Sequence, residues 1–272
     1  MMNDSFTFLN DVEYGSHERQ KVDIFIPKTV KAASGVILFI HGGGWVDGDK
    51  SVHHVDAEHF SNLGYISATM NYRYISQELN VHDELDDVTS ALEVIKSKCA
   101  EYGFNVTQLL ISGGSAGSHL ALMYAYTRKA ESPIPVVAAC VYCPPSNCGK
   151  EDFLLGISGE FEDWKFDILS KACGCTVNKS NLFDEKQQSE LLKISPETYI
   201  SPDCVPTAIF HGKVDDLIPI EHIYHLLKLL GENGVRNDLL IYENSGHMLD
   251  KDPEAALQAK KIIENYAQMY FK

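Results

Sequence analysis

Residues 109–127 read LLISGGSAGSHLALMYAYT, and this stretch decides the fold. Its opening, residues 109–112, is a short apolar run stopped by glycine, the pattern of a buried strand. Gly113-Gly114-Ser115-Ala116-Gly117 then matches G-x-S-x-G, and the residues that follow are apolar on most sides, as in a deeply buried helix. A serine on a tight strand-to-helix turn needs neighbours without bulky side chains, and a nucleophile held there stands exposed at the sheet edge. By composition alone the five-residue pattern arises in roughly one chain in ten of this length, so the strand–turn–helix context carries the argument.

Working outward, short β-branched runs alternate with longer helical patterns, which marks an α/β sheet. Residues 6–14 and 21–26 flank the turn-rich Gly15-Ser16-His17 and read as an opening antiparallel pair. Gly35–Ile40, GVILFI, is a continuous apolar run, as expected of a strand covered on both faces. Residues 66–72 form a weaker strand. Residues 82–102 place Leu85, Val88, Leu92 and Ile95 on a 3.6-residue period that ends at Gly103. Val136–Tyr142, 207–210 and 238–242 are further strands, 219–230 a helix, and Asp252-Pro253 supplies an N-cap and a first-turn proline for a C-terminal helix. The fold class is therefore α/β, a mostly parallel twisted sheet flanked by helices, with residues 1–272 in a single domain. Between the strands at 142 and 207 no strong parallel-strand run occurs. That segment of about 60 residues is too long for a simple connection, and residues 146–200 read as a small inserted lid.

Three other motifs follow strands: His41-Gly42-Gly43-Gly44-Trp45, His211-Gly212-Lys213-Val214-Asp215-Asp216 and Asn244-Ser245-Gly246-His247. In a parallel sheet all strand C-terminal ends lie on one edge, so these motifs and Ser115 converge in space. The order Ser…Asp…His is the one this geometry expects. Ser115 is the candidate nucleophile and His247 the general base and then acid. Asp215 is the candidate that orients the imidazole, with adjacent Asp216 as its rival. Consecutive glycines let backbone N–H groups approach a ligand, so Gly43, Gly44 and Ala116 are the candidate oxyanion donors, with the Trp45 amide as a substitute. A phosphate loop would want Gly-Lys-Ser/Thr or G-x-G-x-x-G, and neither is present. His41 and His211 read as packing or loop-fixing residues. Trp45, Tyr72, Phe153 and Trp164 are candidates for the substrate pocket, and equally for the core.

The chain has 272 residues, with 38 Asp and Glu against 23 Lys and Arg, a net charge of −15. That balance argues against gripping nucleic acid or a basic membrane-surface mode, and it disfavours anionic substrates. No stretch approaches the roughly 18 apolar residues of a membrane span. Seven cysteines, an odd number, with no export signal as written, suit reduced thiols in the cytoplasm; secretion after signal removal is the alternative. Cys140-x-x-Cys143 and Cys173-x-Cys175 do not make a four-ligand zinc pattern, since Cys140 falls inside an apolar strand. His53, His54 and His59 with Asp56 read as a solvated helix face. No metal and no cofactor are expected, the expected partner is a small ester, and homo-oligomerisation is left open.

HGGGW, GGSAG, HGKVDDLIP and SGH together resemble the α/β-hydrolase fold, specifically hormone-sensitive-lipase-like esterases and their small acetyl- and feruloyl-esterase relatives. The resemblance runs from about Lys21 to the end, and NYR at 71–73 and SPETYIS at 195–201 add to it. Two departures stand out. The elbow has Gly114 where many lipase-like members carry Asp, and the long N-terminal helical cap is missing. The resemblance implies a serine carboxylesterase acting through an acyl-enzyme on short-acyl, carbohydrate or aryl esters. The same fold also serves arylformamidases and serine peptidases, and a non-catalytic binding protein is a more distant reading.

Overall fold

The computed structural model describes residues 5–29, 34–150 and 160–272. Its centre is an eight-stranded sheet of β1 (Phe6–Glu13), β2 (Lys21–Pro27), β3 (Gly35–Ile40), β4 (Ile66–Met70), β5 (Gln108–Gly114), β6 (Val136–Tyr142), β7 (Thr207–Gly212) and β8 (Asn237–Tyr242). The spatial order is β1-β2-β4-β3-β5-β6-β7-β8. β1 and β2 pair antiparallel, as does β2 with β4, and every other pair is parallel. Seven α-helices are present among the described residues: α1 (His54–Asn62), α2 (Val81–Glu101), α3 (Ala116–Thr127), α4 (Glu160–Cys173), α5 (Glu185–Lys193), α6 (Ile220–Glu232) and α7 (Pro253–Tyr270).

The GVILFI run is buried along its whole length because the sheet has two covered faces. Val36, Leu38 and Ile40 join one apolar cluster with Leu85 of α2, Leu120 of α3 and Leu226 of α6. The alternate residues Ile37 and Phe39 join the other, with Phe60 of α1 and Ile263 of α7. The chain leaves β3 for β4 on one side and then crosses back to β5 on the other. β3 and β5 thus flank a topological switch point, where parallel α/β sheets open a crevice.

Two strands outrun the apolar pattern that announces them. β5 continues to Gly114 because Gly113 pairs with Ile40 and Val141, and Gly114 with Tyr142. β7 continues to Gly212, opposite Tyr242. Backbone pairing extends these strands through residues whose side chains carry no hydrophobic signal. β4 stops at Met70, and the Asn71 side chain instead bonds the Lys50 amide (2.6 Å) and Asp49 (2.8 Å).

The segment between β6 and β7 carries α4, α5 and a 3-10 turn at Pro196–Tyr199. Phe166, Ile168 and Leu169 of α4 belong to the same apolar cluster as the sheet, so this helix is packed on the main core. Phe153, a pocket candidate, lies outside the described residues. The histidine-rich face of α1 and the turn before it is half-buried and not the solvated face expected. His53 stacks on Phe39 and meets Asp56 at 3.3 Å. His54 lies edge-on to Phe8 and Phe25 and bonds the fully buried Asp23 at 2.7 Å. No helix among the described residues is long and apolar enough to cross a membrane.

α3 lies hard against β3: a Cβ on Gly117 would sit 2.1 Å from the Ile40 carbonyl oxygen, whereas one on Gly114 would meet nothing within 4 Å. Gly117→Ala should therefore cost about 1–3 kcal/mol through overpacking, while Gly114→Ala should melt close to wild type. Thermal unfolding of the two variants side by side checks this.

Candidate active site

Ser115 sits between β5 and α3 with φ 53° and ψ −118°, a conformation costly for a side-chain-bearing residue. Its amide donates to the Tyr142 carbonyl of β6 at 2.8 Å, which helps hold the turn. Asp215 follows β7 and His247 follows β8. The two loops are packed together, with the Val214 amide donating to the Ser245 carbonyl at 3.2 Å.

His247 Nδ1 lies 2.8 Å from Asp215 Oδ2, and His247 Nε2 lies 2.9 Å from Ser115 Oγ. The other Asp215 oxygen accepts from the amides of Leu217 and Ile218, each at 2.9 Å. Burial alone would raise the Asp215 pKa. The hydrogen bond and charge of His247, the Ile218 amide and His211 together outweigh it, and the carboxyl titrates below its usual range. At neutral pH Asp215 is thus an ionised acceptor, so His247 carries its proton on Nδ1 and turns the Nε2 lone pair to Ser115. Asp216 is exposed. Of the two rival aspartates, the structure brings Asp215 to the imidazole.

Asp252 precedes α7 as expected but makes no side-chain cap. Its carboxylate instead accepts from the Asn244 amide (3.0 Å) and from Ser245 Oγ (2.5 Å). The residue expected to start the helix therefore tethers the loop that carries His247.

The loop after β3 turns through Gly43, Gly44 and Trp45 at φ values of 110°, 59° and 63°. The Gly43 carbonyl accepts from the amides of Val46 and Asp47, which closes the turn. Among the described residues no backbone carbonyl accepts from the amides of Gly43, Gly44 or Ala116. Gly44 and Ala116 line a cavity of about 60 Å³ beside Ser115, and Gly43 is not among its lining residues. Trp45, Pro145, Trp164, Ile168 and Leu217 make the wall apolar. Trp45 and Trp164 are thus at the pocket, while Tyr72 is fully buried behind it, stacked on His41 at 4.3 Å. Tyr72 shapes the loop by donating from its hydroxyl to the His41 carbonyl at 3.0 Å.

His41 fixes the same loop. Burial pushes its pKa down to about 4, so the ring is neutral. Arg19 Nη2, which can only donate, lies 3.2 Å from Nε2, so Nδ1 carries the proton and donates to the Gly42 carbonyl at 2.7 Å. His211, likewise held neutral by burial, bonds the Ile218 carbonyl at 3.0 Å.

Three residues at the site carry no motif. Arg19 comes from the β1–β2 connection and Lys165 from α4, where it lines the cavity while buried. His119 bonds the Ile194 carbonyl at 2.6 Å and meets Trp45 edge-on at 5.0 Å, joining α3 to the chain just after α5. Only His119 had a legible signal, since it lies four residues beyond Ser115 and so one helical turn along.

The His247–Asp215 bond should give a strongly downfield imidazole proton signal in NMR spectra. Asp215→Asn should abolish or sharply shift it, and Asp216→Asn should leave it in place.

Comparison with known proteins adds to this geometry. The BD-FAE family model matches residues 22–230. The chain is 29% identical over 223 residues to a probable carboxylic ester hydrolase, LipM, of Mycobacterium tuberculosis, covering 78% of this chain and 49% of that one. It is 25% identical over 263 residues to a probable isoprenylcysteine alpha-carbonyl methylesterase of Oryza sativa subsp. japonica, covering 88% and 58%. The chain thus spans about half the length of these curated relatives. Among solved structures, esterase B from Lactobacillus rhamnosis superposes with a TM-score of 0.78 at 18% identity, over 98% of this chain and 88% of that one. A propionate-bound esterase 2 from Thermogutta terrifontis superposes with a TM-score of 0.73 at 23% identity, over 99% and 96%. These likenesses establish the α/β-hydrolase fold.

Proposed function

The chain belongs to the BD-FAE family, and from that premise we propose that it is a carboxylic ester hydrolase working through Ser115, His247 and Asp215. The observation that carries the reading is the unbroken hydrogen-bond chain from Asp215 through His247 to Ser115, beside the amides of Gly44 and Ala116, which donate to no backbone carbonyl among the described residues. The ester hydrolase and methylesterase names of its relatives support the bond type.

In this reading His247 Nε2 takes the Ser115 proton as Oγ attacks the ester carbonyl. The oxyanion forms against the Ala116 amide and those of the Gly43–Gly44 turn. Each such donor is worth about 10²–10³ in rate. His247 then protonates the leaving alcohol, and an acyl group remains on Ser115. Water, deprotonated by the same ring, attacks the acyl carbonyl and restores the serine. Asp215 stays ionised and stabilises the transient imidazolium.

The cavity limits the acyl group. At about 60 Å³ it is far below a drug-sized site of roughly 300–1,000 Å³. Short acyl chains fit it, and propionate is the ligand seen in the Thermogutta esterase. Trp164, 45% exposed at the cavity edge, gives an aryl or sugar alcohol a flat surface. The net charge of −15 favours neutral esters. In this reading α4 of the β6–β7 segment is the lid of this pocket, with Trp164, Lys165, Ile168 and Leu169 on its wall.

Wild type should hydrolyse p-nitrophenyl acetate and butyrate faster than a long-chain ester. Ser115→Ala should lose about 10³-fold or more. Asp215→Asn should lose on the order of 10²–10⁴-fold, with Asp216→Asn near wild type. If wild type cleaves none of these esters, or Ser115→Ala keeps full turnover, the reading fails; equal losses at the two aspartates would remove Asp215 from its role. Acetylated xylo-oligosaccharides and N-formylkynurenine in the same panel separate sugar ester from formamide substrates.

A further inference from the structure

We propose that Cys143, Asp215 and His247 form a binding site for a thiophilic divalent cation such as Zn²⁺, and that filling it switches the hydrolase off. The binding half rests on geometry alone, and the switching half rests on the catalytic reading above. Cys143 is the first residue after β6, at φ 48°, its amide bonded to the Phe210 carbonyl of β7 at 2.9 Å. Its side chain is buried, and ester hydrolysis gives it no task. The thiol points at the His247 loop, donating to the His247 carbonyl at 3.7 Å.

The Cys143 sulfur, an Asp215 oxygen and a His247 ring nitrogen all lie within 4.8 Å of one another. Tetrahedral zinc, with bonds of about 2.0–2.3 Å, wants such atoms roughly 3.3–3.6 Å apart. A bound cation would draw the donors to that spacing, opening the His247–Asp215 contact from its present 2.8 Å. The donors are one sulfur, one nitrogen and one oxygen, a set that suits zinc and its neighbours and not the all-oxygen preference of Mg²⁺ or Ca²⁺. A thiolate and a carboxylate also neutralise the two positive charges.

The proton balance follows. Burial and the Asp215 charge push the Cys143 thiol pKa well up, so the free site holds a thiol. The cation replaces that proton, which leaves to solvent. His247 Nδ1, 2.8 Å from Asp215, is the nitrogen that becomes a ligand. The ring gives up its Nδ1 proton to solvent and takes one on Nε2, so it stays neutral. The net release is one proton per cation bound. The Nε2 that accepted from Ser115 now bears hydrogen and can no longer take the serine proton.

Two measurements on the full chain test this. Co²⁺ titrated without substrate should bind one per chain and show a thiolate-to-cobalt charge-transfer band. That band should vanish in Cys143→Ala and Cys143→Ser and persist in Cys173→Ala, which controls for the Cys173–Cys175 thiol pair 3.4 Å apart. Zn²⁺ should suppress p-nitrophenyl acetate hydrolysis reversibly on adding EDTA. Each Cys143 variant, measured against its own metal-free rate, should need about tenfold more Zn²⁺ or beyond. Absence of the band in wild type, or its survival in both Cys143 variants, overturns the site. Equal zinc sensitivity of wild type and both variants overturns the switch. A protein that shows the band yet cleaves no ester keeps the cation site and loses the hydrolase reading, so the two failures are distinct.

Discussion

The parallel pairing of β3 with β5 puts Ile40 opposite Gly113, and the two turns that leave these strands press against each other. A Cβ on Gly42 would lie 2.8 Å from the Gly114 carbonyl and 3.2 Å from Ser115 Cβ; one on Gly117 would run into the Ile40 carbonyl. The glycine loop and the Ser115 turn can share one small space only because side chains are missing on both sides of the contact. The left-handed conformation of Ser115, a strain of about 1–3 kcal/mol, persists because the β6 pairing and the α3 packing leave it no alternative.

The remaining parts are tied to that contact by hydrogen-bonded polar groups, buried at His41, Tyr72 and Asp215 and half-buried at Arg19 and Asp252. Arg19, His41 and Tyr72 hold the glycine loop from behind, through contacts to the carbonyls of Gly42, Gly48 and His41. On the far side, Asp215 takes two backbone amides and the imidazole, and Asp252 clamps the loop that delivers that ring. A buried carboxylate without such donors would be neutral and of no use to a histidine. Here the donors keep it charged. The same burial that keeps His41 and His211 neutral leaves them free to fix loops without adding charge next to His247.

Much of this was legible in the chain itself. The sheet strands were readable because β3 and β6 are unbroken apolar runs and α2 keeps a clean helical period. The candidate site residues were readable because Ser115, Asp215 and His247 each follow a strand, and parallel topology sends all three to one edge. What escaped has physical reasons. The ends of β5 and β7 lie in glycines, which pair through the backbone and carry no side-chain signal. The choice of Asp215 over adjacent Asp216 rested on the resemblance, since the two are the same residue type side by side, and it is the path of the backbone that brings Asp215 to the imidazole. Asp252 has the right place for a cap, but the Asn244-Ser245 turn competes for its carboxylate more effectively. Tyr72, an aromatic that pattern alone could assign to pocket or core, is packed behind the loop. Cys143 looked like one half of a C-x-x-C pair, yet Cys140 is buried in the apolar cluster with α1 and α7, whereas Cys143 lies near Asp215 and His247 of the distant loops after β7 and β8.

On the proposed reading, the Asp215–His247–Ser115 chain makes Ser115 a covalent nucleophile. Rapid acid quenching during p-nitrophenyl acetate turnover, followed by peptide mass spectrometry, tests this most directly. The prediction is one acetyl group on the peptide bearing Ser115, mapped to that side chain and absent in His247→Ala. Steady turnover with no acyl group on Ser115, or with the label on another residue such as Cys143, would contradict it.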